Sequence, residues 1–260
     1  MLNYQIKGNG KETLVLLHGF MENLSIWSDM EPHLSENFSL LKIDLPGHGQ
    51  SDIIAEVQTM ELIAEEVKKV LDHQNLQKVH LLGHSMGGYI SLGFAEKYPE
   101  YLKSLTLFFS SYLADDEEKK EQRIKSYRII KDAFPHYVRA GIPNLFNPNE
   151  RDILEGKIET ALEVALSTNN MGALASVKGM VERTDKKHVL ENLDVKILVL
   201  AGKHDNAVKT EAMIRHLPDR TNIKSYILDC GHNGHWEKPS ICAEIINTEL
   251  LHNLPKHLVL

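Results

Sequence analysis

The chain has 260 residues, 42% of them hydrophobic and 25% charged, enough for one large α/β domain or a domain carrying an insertion. Its formal charge of −7 comes without any basic run, which argues against nucleic acid as a partner. No apolar stretch approaches the ~20 residues of a membrane span, and positions 1–13 lack the apolar segment of a signal peptide.

Residues 4–7 predict a short leading strand, followed by the Gly8-Asn9-Gly10 turn. Near-continuous apolar runs at 14–17, 40–43, 79–82 and 105–109 read as buried parallel strands, and two more follow at 197–200 and 225–228. Between them, 59–71 sets Leu62, Ile63, Val67, Val70 and Leu71 on one helical stripe. A second helical pattern follows residue 89 and stops at Pro99, which cannot continue a helix. Alternating strands and helices predict an α/β fold with a doubly wound, mostly parallel sheet.

Residues 112–187 break that alternation. A charged helix over 115–134 is expected to put Ile124, Tyr127, Ile130 and Phe134 on one face. A break at 141–148 with two prolines precedes helical patterns at 153–166 and 171–181. The segment reads as an inserted all-helical cap or lid, with 1–111 and 188–260 forming the core; the plainer alternative is helices that only pack the sheet. No repeat or low-complexity tract is present. Cys230 and Cys242 fall in an expected loop and an expected helix. They are read as buried reduced thiols of a cytoplasmic protein.

The chemistry centres on Gly83-His84-Ser85-Met86-Gly87, directly after the run 79–82 and directly before a helical stretch. A sharp strand-to-helix turn lifts a serine hydroxyl clear of local hydrogen bonds and aims a helix N-terminus at incoming negative charge. Glycines at 83 and 87 permit so tight a turn. A serine needs a base within hydrogen-bond reach, and the base needs a carboxylate to orient it. Loops after strand C-termini supply both: Asp205 follows 197–200, and His232 follows 225–228, with His235 three residues later as a competitor. Asp205 has a second reading as the N-cap of a helix beginning near Lys209. An oxyanion needs two preorganised N–H donors, expected from Met86 and from Phe20 in His18-Gly19-Phe20.

Together with Asp44-Leu45-Pro46-Gly47-His48-Gly49-Gln50-Ser51, these motifs resemble the α/β-hydrolase superfamily across residues 3–250. The resemblance implies the α/β-hydrolase fold, a Ser85–Asp205–His232 triad and no cofactor, and it favours His232 over His235 because the base directly follows a glycine. The chain departs from the pattern at Val195-Lys196, where members often carry a proline before the late strand. The expected activity is a serine hydrolase on small to medium carboxylic esters. Alternatives are a lyase or carbon–carbon hydrolase using the same triad, and a non-enzymatic small-molecule receptor. The lyase or carbon–carbon hydrolase would need a cationic clamp for a carboxylated substrate, with Arg123, Lys125, Arg128 and Arg139 as candidates. Peroxide-dependent side chemistry at the same residues is a further option. Serine where some relatives carry a nucleophilic aspartate argues against dehalogenase or epoxide hydrolase activity. His18, His84, His232 and His235 lack metal-ligand spacing, so no metal is expected. Asp44 and His48 are read as turn residues, Asp185 as a solvated carboxylate. Oligomeric state is not legible.

Overall fold

The computed structural model describes residues 1–251; positions 252–260, the end of the expected second core segment, lie outside the described residues. Seven strands form one sheet: β1 (Tyr4–Lys7), β2 (Glu12–Leu17), β3 (Phe38–Ile43), β4 (Val79–His84), β5 (Leu102–Phe108), β6 (Lys196–Gly202) and β7 (Ile223–Leu228). Their order across the sheet is β1-β3-β2-β4-β5-β6-β7. Only β1 pairs antiparallel, against β3; the other neighbours are parallel. The fold is therefore doubly wound α/β with a mostly parallel sheet.

The continuous apolar runs are explained by their position. β4 is buried along its whole length at the centre of the sheet, as a strand covered on both faces should be. β7 differs from expectation. As the edge strand, with a single neighbouring strand, it leaves Lys224, Ser225 and Ile227 exposed.

Helix α1 (Met60–His73) starts where Thr59 accepts a hydrogen bond from the Leu62 N–H, and it buries Ile63, Ala64, Val67, Val70 and Leu71. Helix α2 (Met86–Lys97) is buried almost all round. From β2 the chain passes to β3 on one side, then returns to place β4 on the other side of β2. That reversal opens a crevice beyond the strand C-termini, where α/β sheets bind ligands. The β2–β4 register pairs Leu17 with Gly83, so the loops after these strands leave the sheet side by side.

Between β5 and β6 the described chain is helical: α3 (Glu117–Asp132), α4 (Phe134–Gly141), α5 (Glu155–Leu166), α6 (Asn170–Glu182) and α7 (Lys187–Asn192). The long helix expected over 115–134 ends at Asp132, and Phe134 opens α4 before Pro135. Its inward face also differs. Ile124 is 50% exposed, whereas Ser126 and Ile130 are buried and Arg123 and Tyr127 half-buried. Residues 123, 127 and 130 follow the three-and-four spacing of one stripe; Ile124 lies off it. Three further α-helices follow β6: α8 (Thr210–Arg215), α9 (Gly234–Glu237) and α10 (Pro239–Leu251). No helix among the described residues is long and apolar enough to cross a membrane.

Candidate active site

Ser85 sits at the turn from β4 into α2 with φ 49° and ψ −113°, a left-handed conformation that costs a non-glycine residue energy. The turn is pinned on both sides. The Ser85 N–H donates to the Phe108 carbonyl at 3.0 Å, and the Ser110 hydroxyl donates to the Ser85 carbonyl at 2.7 Å. A Cβ on Gly83 would lie 2.2 Å from the Gly87 carbonyl oxygen, so the turn closes only around hydrogen. Gly83→Ala should destabilise the fold by about 3 kcal/mol, the upper range for forcing atoms into a packed site. Urea denaturation measures that loss; unchanged stability would mean the turn is not closed this tightly.

The structure brings Ser85, His232 and Asp205 together. His232 Nε2 lies 2.8 Å from Ser85 Oγ, and Asp205 Oδ2 accepts from His232 Nδ1 at 2.7 Å. With a proton on Nδ1, Nε2 is left free to accept the serine hydrogen; the network itself assigns this tautomer. Asp205 is not the N-cap it could have been: α8 begins at Thr210 with Lys209 at its cap, and Asp205 Oδ1 instead accepts from the loop N–H groups of Ala207 and Val208 at 2.7 and 2.9 Å. Burial would raise the Asp205 pKa, but the His232 charge and these bonds hold it below the ordinary carboxylate value. Burial likewise disfavours a charged His232, yet Asp205 outweighs it and raises the imidazole pKa.

Phe20 lies in the loop after β2 and lines the cavity above Ser85. Met86 is wholly buried and does not line that cavity; its backbone N–H opens α2, where no carbonyl one turn back is available to it. The cavity measures about 280 Å³ and lies between the strand-end loops and the helices that follow β5. Tyr137, Leu145 and Met180 form part of its helical wall, whereas Phe134 and Phe146 pack in the core and Met171 is exposed. Of the four cations considered as a clamp, Arg123 lines the cavity, and Lys119, one helical turn earlier, joins it. Lys125, Arg128 and Arg139 are exposed on α3 and α4.

His235 stands apart. It is fully buried, neither ring nitrogen makes a hydrogen bond among the described residues, and it does not line the cavity, so it anchors the loop by packing against Trp27, His84 and Trp236. Burial, then the neighbouring His84 charge, keeps it neutral. Asp44 is a loop anchor, accepting from the Leu24 and Gln50 N–H groups and the Asn3 amide.

Two carboxylates escaped the sequence reading. Glu237 accepts from the N–H groups of Gly231, Asn233 and Asn147, which ties the His232 loop to the helical segment. Glu22 accepts from the Gly19 N–H and bonds His84. Glu22 stands three residues past Gly19 and Glu237 four past Asn233; such short spacing to a loop N–H was the available signal. Among the described residues one set, Glu22, His84 and His235, brings metal-ligand atoms within 4.8 Å of one another. Glu22 and His84 are already bonded to each other, so an ion would have to break that pair.

Comparison with known proteins agrees with this architecture. The family model described as "alpha/beta hydrolase fold" matches residues 12–239. A 2-hydroxy-6-oxononadienedioate/2-hydroxy-6-oxononatrienedioate hydrolase of Pseudomonas putida is 26% identical over 96% of this chain and 92% of its own length. The dihydrolipoyllysine-residue acetyltransferase component of an acetoin cleaving system, also from Pseudomonas putida, is 30% identical over 98% of this chain, which spans 66% of that protein's length. A thermophilic esterase from Thermogutta terrifontis, solved with malate bound, superposes with a TM-score of 0.88 at 30% identity, covering 96% of this chain and 92% of that one. A strand-to-helix serine at the sheet's reversal point and a match over residues 12–239 lead to one conclusion: this chain belongs to the α/β-hydrolase family and is a hydrolase of a small-molecule substrate.

Proposed function

We propose that the protein hydrolyses small to medium carboxylic esters through an acyl-enzyme intermediate. The carrying observation is the unbroken hydrogen-bond chain from Ser85 through His232 to Asp205 at the floor of the cavity. Ser85 Oγ attacks the acyl carbon while His232 Nε2 takes its proton. The charge that develops on the carbonyl oxygen is received by the Phe20 and Met86 N–H groups. His232 then gives its proton to the departing alcohol and draws one from a water that releases the acid. Asp205 holds the tautomer and stabilises the imidazolium. Residues 112–187 act as the cap that shapes entry, and the buried, unpaired thiols of Cys230 and Cys242 fit a reducing cytoplasm.

A fluorophosphonate probe and a panel of p-nitrophenyl esters with two to twelve acyl carbons test the reading. Labelling with turnover on part of the panel supports it. A protein that neither labels nor turns over any ester is instead a receptor.

A second reading is favoured by Lys119 and Arg123. In a protein of net charge −7, both line the cavity from one face of α3. Arg123 already bonds Asp115, shared with Arg183, whereas among the described residues Lys119 Nζ donates only to the Ala207 carbonyl. A substrate carrying a carboxylate, as the name of the dioate hydrolase relative specifies, would meet them. Lys119→Met should lower the preference for mono-p-nitrophenyl glutarate over p-nitrophenyl butyrate about tenfold, the value of one hydrogen bond to a charged group. An unchanged ratio would leave the neutral ester as the substrate class.

A further inference from the structure

Three loops carry the reacting groups, and one buried pair touches all three. Glu22 follows the Gly19-Phe20 loop, and its side chain is only 9% exposed. Its Oε2 accepts from the Gly19 N–H at 2.6 Å and from the His84 Nδ1–H at 2.8 Å. His84 immediately precedes Ser85, and its Nε2–H donates to the carbonyl of His232 at 3.1 Å. Both ring nitrogens of His84 therefore face oxygen acceptors, the Glu22 carboxylate on one side and the His232 carbonyl on the other. Burial by itself would favour a neutral Glu22 acid, but the His84 charge and hydrogen bond bring its pKa down to about 2.

Close packing reinforces the link. A Cβ on Gly19 would lie 2.8 Å from both Glu22 Oε2 and His84 Nδ1. His235 backs the His84 ring at 4.6 Å between centroids, and its Nε2 lies 3.8 Å from Glu22 Oε1, too far for a hydrogen bond. A buried ion pair adds little net stability over apolar side chains of the same volume. What this pair adds is direction, because each bond fixes one backbone group of a different loop.

We propose that Glu22 and His84 are positioning residues that hold the oxyanion loop, the nucleophile turn and the base loop in mutual register. The inference rests on the Ser85–His232 reading above. Neither side chain reacts. Glu22 fixes Gly19, and with it the Phe20 N–H one residue on. His84 fixes the His232 backbone, and with it the height of the imidazole over Ser85. Displacement of such groups by about 1 Å costs on the order of a hundredfold in rate.

Glu22→Ala should lower kcat about a hundredfold with KM within about threefold, because the loss falls on the transition state. Affinity for an acyl trifluoromethyl ketone, which adds to Ser85 and places an oxyanion against Phe20 and Met86, should fall by about the same factor. Glu22→Gln keeps an oxygen for the same two N–H groups, and its kcat should recover to within about tenfold of wild type. Equal kcat in wild type and Glu22→Ala overturns the proposal. So does a kcat loss with ketone affinity unchanged, which is the mark of a merely structural role. If Glu22→Ala does not fold, Glu22→Met, which fills the space and offers no oxygen to either N–H group, decides: a kcat loss matched by an equal loss of ketone affinity supports the proposal, and wild-type values for both overturn it. A wild-type protein that neither labels with fluorophosphonate nor turns over an ester overturns the Ser85–His232 reading, and this inference with it. A reactive wild type indistinguishable from its Glu22 variants overturns this inference alone.

Discussion

Ser85→Ala should abolish ester turnover, lowering kcat on the order of 10⁶-fold, while the protein stays folded and unlabelled by fluorophosphonate. The effect is this large because no neighbour can take the serine's place. The Ser110 hydroxyl is committed to the Ser85 carbonyl. The Cys230 thiol is wholly buried, and burial pushes its pKa far above neutrality, so it supplies no thiolate. Stability should change little, since among the described residues the Ser85 hydroxyl has His232 alone as its hydrogen-bond partner. Alanine keeps the same strained backbone angle and the same Cβ. Thermal unfolding of the variant, run beside its kcat, separates loss of chemistry from loss of fold. Turnover within about tenfold of wild type would remove Ser85 from the reaction.

The sheet and the nucleophile turn were legible because both are written locally. Each of β2, β4 and β6 is an apolar run buried on both faces, and the glycines around Ser85 leave one way to close the turn. Asp205 and His232 were legible by a different route. Both follow strands, and parallel strands deliver their following loops to one end of the sheet. What local reading missed are groups whose role comes from distant partners. The sequence offers Arg123 as one of four clamp cations but does not show its anchorage: α3 turns it inward against Asp115, and the guanidinium of Arg183 completes the set. Glu22 looks like a loop carboxylate until the fold brings His84 to it from β4, 62 positions away. Periodicity alone extends the preceding helix to Phe134, because it does not register the break at Ala133, whose backbone leaves the helical region at φ −145° and ψ 44°.

Asp205→Asn should lower kcat about 10⁴-fold while leaving the loop intact. The hydrogen bonds around the carboxylate dictate which way the new amide must point. Oδ1 accepts from the N–H groups of Ala207 and Val208, so an asparagine keeps its oxygen there. Its NH₂ group is then forced towards His232 Nδ1, where the carboxylate Oδ2 now lies at 2.7 Å. An N–H donor facing Nδ1 makes that nitrogen an acceptor, moves the ring hydrogen to Nε2, and leaves nothing to take the Ser85 proton. The pH dependence should move as well. His232 works as the neutral base, so the acid limb of kcat/KM reports its pKa. Burial lowers that pKa, but the Asp205 charge raises it above the ordinary histidine value. Without the charge only the lowering influence is left of these two, and the limb should shift to lower pH even as the plateau falls. A pH–rate profile of the two proteins reads both effects at once. A plateau within about tenfold of wild type, with the acid limb unmoved, would mean that Asp205 serves its loop and not the imidazole.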